Sequence, residues 1–272
     1  MSVLHTNNIT NRDGTSGPTI AGITTVSSTG FMRVPTGNTQ SRVVADVENI
    51  VTNGLVLHLD AGRVSSYGGD GTTWRDLSGN NNNGTLLNGV GFTADDGGSL
   101  IFDGVNDYIP IKSFDHTATN TVEMWFKQTT YSQYSCPYAS GYLPTQRWQF
   151  TNTDENMFIY FDMTGTNFVY EDSGINVTTS EGWAHIIVTA DYYNNEYKTY
   201  KNGSLVQTGD LNNMQWSYRP DTQGYNFIDI SRNVTNNNGF LSGNISTLRI
   251  YTKVLSAAEV LQNYNATKGR YT

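Results

Sequence analysis

From Gly54 onward, apolar and polar residues alternate along short segments of the chain. The segment "LVLHL" places its three leucines on one face of a strand. In "TVEMWFK", alternate residues fall on opposite faces, with Val122, Met124 and Phe126 on one face and Glu123, Trp125 and Lys127 on the other. A period of two predicts half-buried β-strands, whereas the near-continuous apolar runs "MFIYFDM" and "WAHIIVTA" are typical of strands inside a two-layer sandwich. Asn202-Gly203, between two strand-like runs, predicts a β-hairpin with a two-residue turn.

One helix is predicted, close to the C terminus. Ser256 and Glu259 have the spacing of a capping box, and Leu255 and Val260 stand at the positions of a hydrophobic staple. Three residues are predicted to form its narrow apolar stripe: Val260, Leu261 and Tyr264. Lys268-Gly269 provides a stop signal. The pattern therefore predicts a single helix packed on a β-sandwich.

The amino-acid composition disfavours several classes of function and of binding site. The 272-residue chain has 15% charged residues and a net charge of −8, which disfavours binding to nucleic-acid phosphates. Cys136 is the single cysteine, so no intrachain disulfide forms, and the four histidines do not have the spacing of a zinc site. No apolar run approaches the ~20 residues of a membrane span, and "MSVLHTNNITNRDGTSG" lacks the features of a secretory signal. We therefore expect neither membrane insertion nor a nucleic-acid partner.

Residues 1–45 differ from the remainder of the chain. They contain too few apolar side chains to offset the entropy of folding alone. Their apolar residues cluster in "STGFMRVPTGNTQSRV", where Phe31, Met32 and Val34 form a strand-like run that Pro35 interrupts. We predict an N-terminal docking arm over residues 1–45, followed by one sandwich domain over residues 46–272. A strand of this arm could add to the sheet edge of another subunit in a homo-oligomer, and the alternative is a tail without a partner.

Seven segments, in order, resemble the laminin-G-like branch of the concanavalin A-like lectin/glucanase superfamily. They are "GLVLHLDAG", "TTWRDLSGNNNNGTL", "SLIFDGVNDYI", "TVEMWFK", "GWAHIIVTAD", "YKNGSLV" and "GFLSGNISTLRIYTKVLSAAEVLQNYNA". The resemblance covers about residues 54 to 266 and implies an all-β jelly-roll sandwich of roughly a dozen antiparallel strands. It also implies a framework role for one segment: Trp74 in the core, Asp76 and Ser78 in turns, and Asn83-Gly84 at the start of a strand.

Catalysis is not supported by the acidic residues. Glycoside hydrolases need two carboxylates about 5 to 9.5 Å apart, and catalytic members of the superfamily usually carry Glu-x-Asp-x-x-Glu or a similar set on one strand. Here Glu123 is followed on its face by Trp125, and no second acid shares that face. His185 shares a face with Trp183 and Ile187, which is typical of a structural histidine. We assign no catalytic residue and predict that the protein is not an enzyme.

Calcium is the one cofactor that the resemblance suggests, at the rim of the sandwich. Asp60, Asp103 and Asp107 lie at predicted strand ends, where such a site could form. The alternative is that "FDGVNDY" is a turn in which Asp103 and Asn106 bond their own backbone.

Glycan binding would depend on exposed aromatic rings next to amides. Residues 131–148 supply five candidate rings: Tyr131, Tyr134, Tyr138, Tyr142 and Trp148. The alternative is that these rings cover the sandwich or bury against a neighbouring subunit, where tyrosine is also enriched.

The segment "GFMRVPTGNTQSR" also resembles short stretches of structural proteins of tailed phages, notably tail and fibre proteins. With no secretion signal and no disulfide, we predict a non-enzymatic virion structural protein, either a capsid decoration or a tail or fibre component. Its arm would dock to other virion proteins, and its sandwich would face the particle exterior, with weak binding to host surface glycans. The alternatives are a free carbohydrate-binding module or adhesin of a bacterium, and a glycoside hydrolase.

Overall fold

The structure, a computed structural model, describes residues 32–34, 41–43, 49–112, 117–131, 134–141, 147–153, 155–162, 168–214, 227–233 and 238–271. The chain divides into two units, Met1–Gly30 and Phe31–Thr272, and all that follows belongs to the second. Most of the predicted arm, including Phe31 and Pro35, lies outside the described residues. The boundary at residues 45–46 stays a prediction.

The described residues form strands and one α-helix. The strands are β1 (Met32–Val34), β2 (Ser41–Val43), β3 (Leu55–Asp60), β4 (Thr73–Trp74), β5 (Gly84–Thr85), β6 (Gly91–Thr93), β7 (Ser99–Asp103), β8 (Ile109–Lys112), β9 (Thr119–Gln128), β10 (Ser135–Ser140), β11 (Arg147–Thr153), β12 (Asn156–Asp162), β13 (Phe168–Asn176), β14 (Ala184–Asp191), β15 (Glu196–Lys201), β16 (Ser204–Asp210), β17 (Phe227–Ile230) and β18 (Ser242–Tyr251). The helix is α1 (Ala257–Thr267), and short 3-10 turns cover Asp95–Gly97 and Lys268–Arg270. In the described part of the chain, no helix has the length and apolar character needed to cross a bilayer.

Two antiparallel sheets form the sandwich. The sheet that we call the front sheet has the order β13-β12-β11-β10-β17-β8-β5-β4. The back sheet has the order β16-β15-β14-β9-β18-β7-β6, and β3 pairs with β18 beside β7. β1 pairs with β2 in a separate two-stranded sheet, so the short strand predicted within the arm is present over Met32–Val34. The predicted all-β jelly-roll sandwich with one C-terminal helix is confirmed.

The core lies between the inner faces of the two sheets. On β9, Val122, Met124 and Phe126 are fully buried in it, while Glu123 and Trp125 point to the outer face of the back sheet. This is the separation that the period of two predicts. β14 is buried along nearly its whole length, because the core covers one face and α1 packs near the other. A strand buried on both faces has no polar side to alternate, which explains the continuous apolar run.

Helix α1 packs on the outer face of the back sheet. The capping box is confirmed: the Ser256 hydroxyl accepts from the Glu259 amide, and the Glu259 carboxylate accepts from the Ser256 amide. Leu255 and Val260 are buried in one apolar cluster, as a hydrophobic staple requires. The predicted stripe is wrong at Leu261, which is 48% exposed. The buried face continues instead through two polar residues, Asn263 and Thr267, because polar side chains of the back sheet face them.

The structure contains the Asn202-Gly203 hairpin turn and the framework segment around Trp74 that the sequence predicts. Asn202 and Gly203 have φ of 51° and 80° between β15 and β16, so both central residues occupy the left-handed region that a type I′ hairpin needs. Trp74 is fully buried in the core. The Asp76 carboxylate accepts from the backbone amides of His58 and Ser78, both at 2.9 Å. These contacts confirm a framework role for this segment.

Candidate functional site

The outer face of the front sheet carries aromatic side chains on two neighbouring strands. On β12, Met157, Ile159 and Phe161 point into the core, so the residues between them point outward. These are Phe158 and Tyr160 on β12, with Phe168 and Tyr170 in the same outward orientation on β13. The two strands therefore divide an inward core set from an outward set of rings.

The four outward rings form what we call the aromatic ladder: Phe158, Tyr160, Phe168 and Tyr170. Phe158 stacks on Tyr170 with centroids 5.1 Å apart, and Tyr160 stacks on Phe168 at 5.6 Å. Tyr160 and Tyr170 lie directly opposite each other at 6.3 Å and join the two stacks. Phe168 is 51% exposed and Tyr170 is 48% exposed. Exposed apolar surface of this kind is typical of ligand-binding faces.

A cavity of about 320 Å³ adjoins the ladder, and we call it the groove. Seven residues line it: Tyr134, Gln149, Thr151, Tyr160, Tyr170, Asn233 and Asn238. The strand register explains its floor, because Gln149 on β11 lies opposite Tyr160 on β12, which lies opposite Tyr170 on β13. The floor is therefore a row of side chains that crosses three strands.

The opposite wall of the groove is formed by Asn233 and Asn238, whose backbones are paired. Asn233 and Asn238 form an antiparallel bridge in which the Asn233 amide donates to the Asn238 carbonyl at 2.8 Å. The Gly239 carbonyl accepts from the Cys136 amide of β10 at 2.7 Å. Gly239 has φ of 69°, and a Cβ there would lie 2.4 Å from the Tyr134 carbonyl oxygen, so only glycine fits. This close approach brings the two asparagines against the tyrosine.

The groove combines ring faces with groups that both donate and accept hydrogen bonds. Asn and Gln amides offer two donors and one acceptor oxygen each, and threonine and tyrosine hydroxyls can do either. Gln149 already donates to the Thr151 hydroxyl at 2.6 Å, which orients its amide. Polar groups that converge beside ring faces are a usual feature of small-ligand sites. None of the described lining residues is charged.

Of the five rings predicted for glycan contact, the structure places one in the groove. Tyr134 is 52% exposed and lines it, while Tyr131 is exposed elsewhere and Tyr142 lies outside the described residues. The prediction of glycan contact is wrong for Tyr138 and Trp148, because both side chains are fully buried. They belong to β10 and β11 and point into the core, where Tyr138 packs on Phe150 at 5.0 Å and Trp148 on Phe161 at 4.9 Å.

The three aspartates predicted for calcium do not form one site. Asp60 is fully buried, and its carboxylate receives two 2.7 Å bonds from the Arg270 guanidinium. Burial alone would raise the pKa of Asp60, but the Arg270 charge outweighs it and lowers this pKa. Asp60 lies opposite Thr247 of β18, and Asp103 lies opposite Ser242 of the same strand. These two positions on β18 are five residues apart, which corresponds to about 17 Å between the two aspartates along the strand. Within the described ranges, no three His, Cys, Asp or Glu side chains come together as a metal site.

Asp103 and Asp107 are close to each other at the turn between β7 and β8. The Asp103 carboxylate accepts from the amides of Val105 and Asn106, at 2.8 and 3.3 Å, and these bonds lower its pKa. Asp107 accepts from the Asp103 amide at 3.1 Å, and burial raises the Asp107 pKa. Asp103 thus bonds its own backbone, as the turn interpretation expects. Calcium at these two residues alone stays a prediction.

Glu123, the acid considered for hydrolysis, lies far from any open surface. It is fully buried on the outer face of the back sheet under α1. Its carboxylate contacts Arg249 at 2.7 Å, His185 Nε2 at 3.0 Å and Asn263 Nδ2 at 2.7 Å. Burial alone would raise the pKa of Glu123, but the Arg249 charge, with His185 and Asn263, lowers it to about 2. Glu123 and His185 are therefore structural, as predicted for the histidine.

Comparison with known families agrees with this geometry. Residues 103–261, more than half of the chain, match the family model described as the concanavalin A-like lectin/glucanases superfamily. The chain therefore belongs to this superfamily, and its domain is a lectin-like sandwich. A search of curated proteins gave no match.

Solved structures with the same fold include several binding domains. Domain 4 of AbnA, a GH43 extracellular arabinanase from Geobacillus stearothermophilus, solved with arabinotriose, aligns with 17% identity and a TM-score of 0.61 over 78% of this chain and 98% of that one. The binding domain of Paraclostridial Mosquitocidal Protein 1 aligns with 16% identity and a TM-score of 0.59. The binding domain of Botulinum Neurotoxin DC, solved with SialylT, aligns with 11% identity and a TM-score of 0.60. Both toxin alignments cover 79% of this chain and 52% of the toxin chain, so the chain spans about half the length of these relatives.

Proposed function

We propose that the sandwich is a glycan-binding module and that the sugar lies in the groove. The observation that carries this proposal is the position of the exposed aromatic ladder beside a cavity lined by amides and hydroxyls. Sugar rings have apolar faces that stack on aromatic rings and equatorial hydroxyls that amides can bind. The groove offers both kinds of contact within one surface.

Similar structures support the proposal at the level of the fold. The arabinanase domain was solved with arabinotriose, and the neurotoxin domain with SialylT. The absence of a charged residue among the described groove residues also favours binding over hydrolysis, which needs two carboxylates at the sugar.

Alanine substitution of groove tyrosines tests this function. Well-placed ring contacts contribute about 0.5–1.5 kcal/mol each, so Tyr160→Ala and Tyr170→Ala should each weaken glycan binding by up to about tenfold. A glycan array identifies a ligand, and calorimetry then measures its affinity for each variant. Tyr193, which is 81% exposed in the turn after β14, provides the matched control, and Tyr193→Ala should leave affinity unchanged. Equal affinity in all three variants would contradict a ligand site in the groove.

We further propose that the module is displayed on the exterior of a phage particle, docked through residues 1–45. The phage-like sequence of the arm supports this, and so does the place where the chain enters the sandwich. The Val51 amide donates to Asn263 Oδ1 at 2.8 Å, and Gln262 Nε2 donates to the Asn49 carbonyl at 3.0 Å. The chain therefore enters beside α1, on the outer face of the back sheet. The groove is on the outer face of the front sheet, on the opposite side of the sandwich from this entry point.

Deletion of residues 1–45 tests the docking role. The truncated protein should keep its thermal midpoint and its glycan affinity, because no described core residue is removed, but it should no longer enter particles. The full chain carrying Tyr170→Ala is the converse control, since it should enter particles and bind glycan more weakly. Normal incorporation of the truncated protein would contradict the docking role and leave the glycan-binding proposal intact.

A further inference from the structure

We infer that the groove takes an uncharged, linear oligosaccharide and discriminates against sialylated or other acidic glycans. This inference depends on the proposed glycan-binding function and adds the class of ligand. Two features of the structure carry it: the chemistry of the groups that line the groove, and the extension of the aromatic ladder beyond the groove.

The described lining residues are all uncharged: three tyrosines, two asparagines, one glutamine and one threonine. A sugar carboxylate leaves bulk water at a high cost unless a cation or several donors replace its hydration. Arginine is the usual partner, because its planar guanidinium binds a carboxylate through two parallel bonds. Amides and hydroxyls suffice for the hydroxyl groups of a neutral sugar, so the donor set fits an uncharged ligand.

Among the side chains that the structure describes, the cation that adjoins the groove wall in sequence is already engaged. Arg232 adjoins the lining residue Asn233, but its guanidinium lies 3.8 Å above the Tyr108 ring centroid, and its Nε donates to Asp229 at 2.8 Å. Asp229 is fully buried, so release of Arg232 would leave a buried carboxylate without its cation. Binding an acidic sugar through Arg232 would therefore cost this ion pair.

The electrostatic field near the groove also disfavours anions. Asp172 lies two residues after Tyr170 on β13, opposite Phe158 of the ladder, and is exposed. The whole chain carries a net charge of −8. A negative surface lowers the local concentration of anionic ligands and slows their association, most strongly at low ionic strength.

The ladder explains why the ligand should be linear and longer than the groove. A cavity of about 320 Å³ is at the small end of ligand sites, so it holds a short part of a sugar chain. Phe158 and Phe168 do not line the cavity, yet they stack on Tyr170 and Tyr160, which do. They continue the aromatic surface along β12 and β13, where further sugar residues of an extended chain can stack.

Two comparisons test the inference by calorimetry. The first uses lactose-terminated glycans with and without a terminal sialic acid, at low and at physiological salt. The second uses neutral arabino-, xylo- and cello-oligosaccharides of increasing length. We expect the sialylated member of each pair to bind at least about tenfold more weakly, and neutral affinity to rise about tenfold with length. Phe168→Ala should lower the affinity for the long oligosaccharides only, and Leu205→Ala, an exposed apolar residue of β16, is its matched control.

The outcomes separate the two proposals. Tight binding of the sialylated glycans that Tyr170→Ala abolishes would overturn the neutral-ligand inference and leave the groove as the site. Affinity that does not change with length, or that Phe168→Ala does not affect, would overturn the role of the ladder. Glycan binding that is insensitive to Tyr160→Ala and Tyr170→Ala, or no binding to any glycan, would overturn the proposed function and this inference together.

Discussion

The substitution Glu123→Gln tests whether a buried charge pair holds helix α1 on the back sheet. It keeps the shape of the side chain and removes its charge, which leaves the Arg249 guanidinium fully buried without its counter-ion. Asn263 of α1 donates to the same carboxylate, so the pair joins the helix to β9 and β18. We therefore expect a loss of stability that is large for one isosteric change.

The cost of Glu123→Gln in free energy of unfolding follows from two separate physical grounds. Breaking one partner of a buried pair typically costs about 3–5 kcal/mol. Separately, the pKa of Glu123 falls from an ordinary value of 4.5 to about 2, which corresponds to about 3 kcal/mol of stability near neutral pH. For a domain of this size, about 3 kcal/mol should lower the thermal midpoint by about 6–12 °C.

The same pKa fixes the sign of the pH dependence. Because the folded-state pKa of Glu123 is lower than that of the unfolded chain, its contribution is complete above about pH 5. It declines as the pH falls toward 2, since the unfolded state then binds the proton first. The difference in stability between the wild type and Glu123→Gln should therefore shrink on acidification. Urea unfolding at pH 7 and at pH 3.5 measures it.

A surface pair beside the same sheet provides the control, with Glu181 in the loop before β14 and Lys201 on β15. Glu181 contacts Lys201 at 2.7 Å, with both side chains partly exposed, so Glu181→Gln should cost less than about 1 kcal/mol. The double variant Glu123→Gln with Arg249→Met removes both charges but keeps an acceptor oxygen for His185 and Asn263, so it should recover part of the lost stability. A cost of Glu123→Gln below about 1 kcal/mol at pH 7, or a deficit that stays constant down to pH 3.5, would refute the stabilising role of the buried pair.

Three further substitutions give predictions for turns and caps. Ser256→Ala removes the cap of α1 and should cost about 1 kcal/mol in urea unfolding; an unchanged midpoint would contradict the cap. Gly203→Ala places a Cβ at φ of 80° and 2.8 Å from the Tyr264 ring, so it should cost more than about 1 kcal/mol. Gly71, also at positive φ but with open space around it, is the control that separates the clash from the backbone strain. Gly239→Ala should weaken glycan binding in calorimetry, because its Cβ displaces the backbone of Tyr134, which lines the groove.

Much of the fold could be predicted because its signals are local. The capping box requires two residues three positions apart, the hairpin requires one Asn-Gly step, and the faces of β9 follow from seven consecutive residues. Each signal is a constraint that neighbouring residues satisfy among themselves. The contacts of Glu123 are of a different kind, since its partners lie 62, 126 and 140 positions away. No local pattern indicates that such residues meet.

The candidate site was only partly predictable for a related reason. Tyr138 and Trp148 lie in a stretch that two prolines interrupt, which predicts a loop, yet both belong to strands and occupy inward-facing positions. Two of the rings that face outward, Phe158 and Tyr160, belong to the segment "MFIYFDM". Because both are apolar, the segment shows no alternation of polar and apolar residues, and the sequence does not indicate which face each ring occupies. Residue type does not separate the two faces either, because Phe161 is aromatic and yet points inward with Met157 and Ile159.

The two outer faces of the sandwich have different physical roles. On the back sheet, α1 covers Ile187, Tyr200 and Tyr251, so the apolar residues of that face contribute to folding. On the front sheet, Phe168 and Tyr170 remain about half exposed, so the described structure gains little stability from them. Exposed rings also favour non-specific association, which makes their presence a cost unless they contact a ligand. Substitutions at the ladder should therefore change binding with little change in stability, whereas substitutions under α1 should do the reverse.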